Sequence, residues 1–255
     1  MKQYVIGIVM LVGLASCTNI NVKLADKDLA EERRPLSGFQ RVELLGSLDV
    51  RYTQADSFSV VVKAPADVIG EVETNVKDSC LVVGMRGEGA VVNFGIADSD
   101  DVTVYVTSPD FLGIELKGSG DFTCDRPLDT DNLDIRLKGS GDIRFRQVIC
   151  DRAAVQLVGS GDVDVKQLTA QLSSVEVVGS GDVEMAQQQV AQTALELKGS
   201  GDIKINFRQC GAVKARLVGS GDITLRGDVA TLESNTRGSG DIKTGALTVR
   251  EQSAR

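Results

Sequence analysis

The chain has 255 residues and a formal net charge of −8, and it contains no histidine and no tryptophan. An acidic chain without clustered basic residues is poorly suited to nucleic acid, which is bound mainly through Lys and Arg contacts to phosphate. The lack of histidine removes the commonest general base and the commonest zinc ligand. Hydrophobic residues make up 42% of the chain and aromatic residues only 4%, so we expect an aliphatic core built from strands.

The first residues have the features of an export signal. Lys2 supplies a positive start, residues 4–14 form a short apolar run, and a Leu-Ala-Ser-Cys sequence ends at Cys17. Such a run is too short to span a bilayer as a mature helix. We predict a lipoprotein signal peptide over residues 1–16 and lipidation of Cys17, the alternative being an ordinary secretory signal that ends near a cysteine. Acyl chains on Cys17 would attach the protein to a membrane without spanning it.

Residues 17–38 are predicted to be the lipidated N-terminus and a tether. The segment is polar and charge-dense, and Pro35 and Gly38 end it with residues that break regular structure. No acidic run follows Cys17. The sequence therefore leaves open whether the protein faces the periplasm or the cell exterior.

An N-terminal β region is predicted over residues 39–110. The Gly-Ser-Leu-Asp sequence at 46–49 is interpreted as a degenerate copy of the repeat that follows. We leave open whether this region forms wider coils of the same stack or a small antiparallel cap. Residues 67–78 fit either a strand or a short helix. Further strand candidates, with alternating or β-branched apolar residues, lie at 58–62, 81–85, 91–94 and 102–107.

The sequence Gly-Ser-Gly-Asp occurs seven times, at spacings of 21, 20, 20, 20, 20 and 19 residues. A fixed period of this length is typical of repeat architectures. Apolar and polar residues alternate on both sides of each motif, so each unit has a strand, a glycine turn and a second strand. A third, less regular segment completes the unit. The motifs end at Asp121, Asp142, Asp162, Asp182, Asp202, Asp222 and Asp241.

Two all-β folds fit this repeat over residues 111–250, with a short tail at 251–255. One is a parallel β-solenoid, or β-helix, in which each repeat of about 20 residues is one coil. The other is an antiparallel hairpin barrel or prism in which each motif is a hairpin turn. Near-identical apolar columns favour the solenoid, because stacking in register requires them. The last unit is the least apolar, as expected of a terminal coil.

In a solenoid the seven motif aspartates would form a line with a spacing of about 4.8 Å. We interpret them as structural residues, whose side chains accept backbone N–H groups within turns in which glycine supplies a positive φ. The alternative is a row of bound Ca²⁺, but calcium takes six to eight oxygen ligands and one carboxylate per coil supplies few. Pairing with basic residues that directly precede their motifs could screen the aspartates, but valine fills this column in other coils, so we interpret the pairing as partial and incidental. These basic residues are Lys117, Lys138, Lys198 and Arg237.

No catalytic residue, metal ligand or cofactor site is assigned elsewhere. The outward columns mix both signs of charge, and no nucleophile–base pair stands apart from the repeats. Cys150 and Cys210 share a column but lie three coils apart, too far for a disulfide. Cys124 is predicted to be a small buried apolar residue. We therefore predict a protein that is not an enzyme.

The chain resembles the auto-transporter adhesin, head GIN domain family, a domain of unknown function in Bacteroides-type lipoproteins. The resemblance rests on Cys17, on the opening at Phe39 and residues 42–50, and on residues 104–109 leading into the first Gly-Ser-Gly-Asp. It covers residues 36–250. It implies a β-helical, adhesin-like envelope protein, and it carries over no catalytic residue.

These features together predict a non-enzymatic, lipid-anchored protein of the cell envelope, with an adhesin-like binding or scaffold surface on a β-solenoid. One alternative is a periplasmic envelope-sensing or protein-binding lipoprotein, and another is a calcium-dependent carbohydrate-active β-helix. The expected partners are the membrane, through the lipid, and a protein or glycan that the sequence does not identify. The expected location is the outer membrane, facing the cell surface or the periplasm, and the oligomeric state is left open.

Overall fold

A computed structural model describes residues 28–87 and 102–250. These residues form strands, apart from loops and one turn of 3-10 helix at Ile69–Glu71. Several predictions lie outside the described residues: the signal peptide, the lipidation of Cys17, the strand at 91–94 and the tail at 251–255. In the region left open at 67–78, the short helix is followed by a strand.

The described residues contain nineteen strands. Seven precede the repeat: β1 Leu29–Arg34, β2 Arg41–Gly46, β3 Asp49–Gln54, β4 Ser59–Pro65, β5 Val72–Lys77, β6 Cys80–Met85 and β7 Thr103–Ser108. Twelve belong to the repeat: β8 Gly113–Gly118, β9 Phe122–Asp129, β10 Asn132–Gly139, β11 Asp142–Ile149, β12 Arg152–Gly159, β13 Asp162–Thr169, β14 Leu172–Gly179, β15 Val183–Gln188, β16 Gln192–Gly199, β17 Asp202–Gly219, β18 Asp222–Gly238 and β19 Ile242–Val249. The predicted strands at 58–62, 81–85 and 102–107 correspond to β4, β6 and β7.

The repeat region is a parallel β-solenoid, as predicted. Strands before the glycine turns stack on one another in what we call the first ladder, which runs through β8, β10, β12, β14 and β16 into the second halves of β17 and β18. Strands after the turns form the second ladder, which runs through β9, β11, β13 and β15 into the first halves of β17 and β18 and then β19. The two strands that flank one turn lie in different ladders, so the antiparallel hairpin alternative is wrong.

The N-terminal region combines coils of this stack with an antiparallel cap. β2 lies between β6 and β8 in the first ladder, and β3 lies between β7 and β9 in the second. The cap consists of β5 on β6, β4 on β7, and β1 on β4. Gly46 is in register with Gly118, so the degenerate motif stacks directly on the first complete one. β1 lies within the range predicted as a tether.

The core is a set of apolar columns that run along the solenoid. Ile135, Val155 and Val175 are stacked in register on the inner face of the first ladder, and all three are buried. In the second ladder the alternation of buried and exposed residues breaks partway along the strand: in β11, Phe145 is buried and the next buried residue is Val148, three positions further on. At the N-terminal end the core is aromatic, with ring centroids 4.1–6.3 Å apart among Tyr52, Phe111, Phe122 and Phe145.

One group of buried polar residues interrupts these columns. Gln187 is only 1% exposed and lies in register between Leu168 and Phe207. Its Nε2 donates to Ser173 Oγ at 2.9 Å, and its Oε1 accepts from Thr193 Oγ1 at 2.6 Å. All three side chains are buried and form hydrogen bonds to one another, so the apolar interior accommodates them without leaving these atoms unpaired.

Candidate functional site

The glycine turns stack on one another as closely as backbone allows. The N–H groups of Ser140 and Gly141 both donate to the carbonyl of Gly118 in the preceding coil, at 2.9 and 3.2 Å. Gly139 has a φ of +145°, and a Cβ there would lie 2.1 Å from the carbonyl oxygen of Gly118. The second glycine of a motif has no positive φ, but a Cβ on Gly161 would lie 2.0 Å from the Gly141 oxygen. Close stacking therefore requires both glycines.

The motif aspartates form one continuous hydrogen-bonded line, which we call the aspartate ladder. In each step, the Oδ1 of one aspartate accepts the backbone N–H of the corresponding aspartate in the next coil, at 2.8–3.2 Å. We expected each aspartate side chain to accept an N–H group of its own turn. Each one instead accepts an N–H group of the turn in the next coil. The members of the aspartate ladder, in stacking order, are Asp49, Asp121, Asp142, Asp162, Asp182, Asp202, Asp222 and Asp241.

Basic residues two positions after some of these aspartates bridge the second carboxylate oxygens. Arg144 donates to Asp121 Oδ2 at 3.0 Å and also pairs with Asp142. Lys204 Nζ lies 3.3 Å from Asp182 Oδ2 and pairs with Asp202 as well. These cations reduce the repulsion between neighbouring carboxylates in the line.

The lysines that precede the motifs do not screen the aspartate ladder, so that prediction was wrong. Lys117 Nζ lies 2.6 Å from Glu43 Oε1, and Lys138 Nζ lies 2.8 Å from Glu115 Oε1. Lys198 similarly pairs with glutamates of the first ladder. Each of these lysines stands at the end of a first-ladder strand, where the outward glutamate of a neighbouring coil is closer than the aspartate beyond the turn.

The environment shifts two of the ladder carboxylates in opposite directions. Burial raises the pKa of Asp142, and the N–H of Asp162 and the charge of Arg144 only partly oppose that effect. The hydrogen bond from Lys243, together with the N–H of Asp241, lowers the pKa of Asp222. The ladder is therefore not electrostatically uniform, although its backbone contacts repeat.

The described residues offer no assembled metal site. No three acidic or cysteine side chains among residues 28–87 and 102–250 converge so as to hold an ion. From Asp49 to Asp222, each ladder aspartate already uses one oxygen to accept a backbone N–H. Since calcium needs six to eight oxygens, the aspartate ladder supports a role in coil-to-coil bonding better than a row of cations.

The described cysteines are free thiols in protected positions. Cys124 and Cys210 are buried, and Cys80 and Cys150 are partly buried. Burial raises the pKa of the Cys124 and Cys150 thiols to about 11. Because the thiolate is the nucleophilic form, neither thiol is activated for covalent chemistry.

A groove on the outer face of the first ladder is a surface that the sequence analysis missed. We call it the outer groove. Its floor contains Ala154, Ser174 and Ala194, which are aligned in register in successive coils. Its volume is about 580 Å³. The only sequence signal was this succession of small outward residues. The outer groove is also lined by larger polar side chains, including Asp134, Arg136, Gln156, Glu176, Glu196, Lys214, Arg216, Glu233 and Asn235.

Ion pairs hold the side chains around the outer groove. Arg136 pairs with Asp134 at 3.1 Å near one end, and Lys214 pairs with Glu233 at 3.1 Å near the other. Between them, Glu176 and Glu196 share Lys198. The groove thus presents carboxylate, amide and cationic groups over a floor of small side chains. Such an arrangement can form many hydrogen bonds to a polar ligand, but it contains no nucleophile with an adjacent general base.

None of the helical structure in the described part of the chain is long and apolar enough to cross a membrane.

The family profile described as "Putative auto-transporter adhesin, head GIN domain" matches residues 38–210 and, in a second match, residues 171–255. The chain belongs to this family. No curated protein matches the sequence. The two matches of the head GIN domain profile overlap at residues 171–210, and an overlap is in keeping with the internal repeat of the chain.

Several solved structures are similar in fold to this chain. A putative adhesin from Bacteroides fragilis is 25% identical, with a TM-score of 0.75 over 85% of this chain and 97% of that chain. A putative adhesin from Parabacteroides distasonis is 20% identical, with a TM-score of 0.70 over 86% and 97%. A putative lipid binding protein from the same species is 18% identical, with a TM-score of 0.69 over 86% and 98%. The latter two likenesses show the fold alone.

Proposed function

We propose that this protein is a lipid-anchored, non-enzymatic adhesin of the cell envelope that binds its partner through the outer face of the solenoid. The observation that carries this proposal is that the repeated residues and the variable residues have different roles. The repeated Gly-Ser-Gly-Asp residues bond coil to coil. The variable outward residues create the outer groove.

Family membership supports the adhesin-like part of the proposal. The family description and the Bacteroides fragilis relative are both named as adhesins. The thiols that are held above their usual pKa and the lack of a nucleophile–base pair in the outer groove are in keeping with a binding role.

The anchoring part rests on the sequence that ends at Cys17. We place the protein at the outer membrane, attached by acyl chains on this cysteine. Mass spectrometry of the N-terminal peptide should show Cys17 carrying acyl chains, and Cys17→Ser should lose that mass and release the protein from washed membranes. An unmodified Cys17 in the membrane fraction would contradict the anchor.

Binding is tested by presenting glycans and matrix proteins to the purified mature protein in detergent. Ala194→Trp fills the floor of the outer groove and should abolish capture of whichever ligand the wild type binds. Thr123→Trp places the same bulk on the outer face of the second ladder and should leave binding intact. Capture that survives Ala194→Trp would exclude the outer groove as the site.

The rival locations and activities have separate tests. Protease added to intact cells should cleave an adhesin that faces outward and spare a periplasmic scaffold or sensor. A calcium-dependent carbohydrate-active protein should melt at a higher temperature when Ca²⁺ is added, whereas the proposed adhesin should not.

A further inference from the structure

The anchored end of the solenoid carries one cross-strand row that differs from the rest of the surface. The row crosses the four strands β1, β4, β7 and β3, which are neighbours in the second ladder and its cap. Arg33 is in register with Val61, Val61 with Tyr105, and Tyr105 with Arg51. Neighbouring strands are about 4.8 Å apart, so these four side chains lie side by side. They face outward, because the alternate residues Val60, Val62, Val104 and Val106 are buried.

The two arginines of this row are available for a ligand. Arg33 and Arg51 are both exposed, and neither forms an ion pair within the described part of the chain. The next row differs, because Lys63 there pairs with Glu31 at 3.5 Å. In a chain with a net charge of −8, two unpaired arginines on either side of an exposed aromatic ring form a local cationic patch.

Exposed apolar side chains lie on the same face. Tyr105 is 43% exposed, and Leu29 at the start of β1 is 53% exposed. Leu29 shares the outward face of β1 with Arg33, because alternate residues of a strand point the same way. Arginine beside tyrosine and leucine suits the boundary of a bilayer, where aromatic rings lie at headgroup level and basic side chains contact anionic lipids.

The column of Arg51 offers no second unpaired basic side chain in the later described coils. At the position equivalent to Arg51, these coils carry in turn Thr123, Arg144, Asp164, Glu184, Lys204, Thr224 and Lys243. The basic members are neutralised by motif aspartates: Arg144 by Asp121 and Asp142, Lys204 by Asp182 and Asp202, and Lys243 by Asp222. An anionic membrane would therefore attract the row at the first four strands more strongly than the same column of the later coils.

The chain itself limits how far this patch can be from the membrane. Residues 17–29 connect Cys17 to β1, and even a fully extended chain of this length spans only about 40 Å. We propose that Arg33, Tyr105 and Arg51 dock the anchored end of the solenoid on anionic lipid headgroups. This inference rests on the lipid anchor of the proposed function, since the anchor holds the patch near the surface.

The absence of tryptophan from the chain gives a direct test. Tyr105→Trp introduces a single fluorophore into the patch of the lipidated protein. On vesicles of phosphatidylglycerol and phosphatidylcholine with brominated acyl chains, its emission should shift to the blue and be quenched. On vesicles of phosphatidylcholine alone, both effects should be absent. The matched control is Val158→Trp, an exposed position on the first ladder, which should remain unquenched on both.

The contribution of the arginines is measured in the Tyr105→Trp background. Arg33→Gln with Arg51→Gln should lower the ratio of docked to undocked protein by about fivefold for each charge removed. Raising the salt concentration should have a similar effect on the unsubstituted patch, because salt screens exposed charges. Arg146→Gln with Arg237→Gln removes two exposed arginines elsewhere and should leave the ratio unchanged.

The outcomes separate this inference from the anchor. If the protein does not sediment with phosphatidylcholine vesicles, the lipid anchor has failed. If it sediments with both kinds of vesicle but the introduced tryptophan is unquenched on the anionic ones, docking is overturned. Equal quenching on both kinds, or quenching that is insensitive to the loss of Arg33 and Arg51, also overturns it. Melting curves of each variant verify that the fold is retained.

Discussion

Asp182 illustrates why an aspartate recurs after every glycine turn. Its Oδ1 accepts the N–H of Asp202 at 2.8 Å, while its Oδ2 pairs with Lys204. At this corner the preceding N–H groups of Ser200 and Gly201 already donate to the Gly179 carbonyl. A side-chain acceptor therefore completes the hydrogen bonding of the turn. The role requires an acceptor oxygen at this position and does not require the negative charge.

Replacing Asp182 separates these two properties. Asp182→Ala removes the acceptor for the Asp202 N–H and should lower the free energy of unfolding by about 1 kcal/mol, the typical net value of one hydrogen bond. Asp182→Asn keeps an acceptor oxygen and loses only an exposed ion pair, so its cost should stay below about 0.5 kcal/mol. Urea unfolding of the three proteins measures the difference. Equal losses in both variants would show that the charge is what matters.

The opposite pKa shifts of Asp222 and Asp142 predict opposite pH dependences. A lowered pKa means that the Asp222 carboxylate stabilises the fold above its unfolded pKa of about 3.9, and that this contribution is lost as the pH falls through the folded pKa. Asp222→Asn should thus lower the melting temperature at pH 7 and have little effect in stronger acid.

Asp142 is the comparison for this experiment. Its raised pKa means that its carboxylate opposes folding at neutral pH, and that the penalty disappears in acid. Asp142→Asn should therefore melt no lower than the wild type at pH 7. Melting curves from pH 7 down to strong acid check both signs. A larger loss for Asp142→Asn than for Asp222→Asn at pH 7 would contradict the assignment.

At the scale of the turn, close stacking should make the second glycine irreplaceable. Gly161→Ala would place a Cβ 2.0 Å from the Gly141 carbonyl oxygen, and only separation of the two coils relieves that overlap. We expect a loss of about 1–3 kcal/mol or more. Gly245→Ala is the control, because nothing lies within 4 Å of its Cβ position, and it should be neutral or slightly stabilising. Equal denaturation midpoints for the two variants would argue against tight contact at the turns.

For the buried group of Gln187, Ser173 and Thr193, we expect the effects of single substitutions on the free energy of unfolding not to add. The coils beside it carry Leu168, Ala153 and Val213 at the corresponding positions. Gln187→Leu alone leaves two buried hydroxyls without their partner and should cost about 1–3 kcal/mol. The triple variant with Ser173→Ala and Thr193→Val removes those hydroxyls and should be as stable as the wild type or more so. A triple variant as unstable as the single one would exclude this explanation.

Much of the element scale could be predicted from the sequence. The period of 19–21 residues and the alternation around each motif are enough to predict coils stacked in register. The third segment of each unit is less predictable, because the alternation of inward and outward residues breaks after Phe145 in β11 and after Val165 in β13. Val148 and Leu168 are therefore fully buried core residues that the columns of the sequence analysis did not include.

The candidate site was predictable only in part. The aspartates could be identified as acceptors, but an acceptor within a turn and one between turns have the same sequence pattern. The partners of Lys117 and Lys138 depend on which column of the neighbouring coil is nearer, and this needs coordinates. The outer groove likewise depends on the relative height of side chains such as Ser174 and Glu176 across several coils, so no local pattern reveals it.

For the whole molecule, repeated coils predict that one unit can be removed. Deleting residues 162–181 joins Gly161 to Asp182 and restores a Gly-Ser-Gly-Asp turn, so a shorter solenoid should fold. Its free energy of unfolding should fall less steeply with urea concentration, because the shorter solenoid buries less surface. Deleting residues 162–171 removes half a coil and breaks the register. Circular dichroism should show strands for the first deletion and their loss for the second. A folded half-coil deletion would contradict the stacking requirement.

The antiparallel cap at one end of the described residues and the parallel strand β19 at the other end bear on how neighbouring molecules could associate. An open-ended filament forms when one surface of a molecule fits a different surface of its neighbour. The edge strand β1 is antiparallel to its neighbour and carries Glu31, Glu32, Arg33 and Arg34 in succession, which is the kind of charged edge that resists further pairing. At the other end of the described residues, β19 is parallel to its neighbour β18, so the strands at the two ends differ in direction relative to their neighbours. Within the described residues, the charged antiparallel edge of β1 and the parallel strand β19 therefore do not form the head-to-tail match from which fibrils grow.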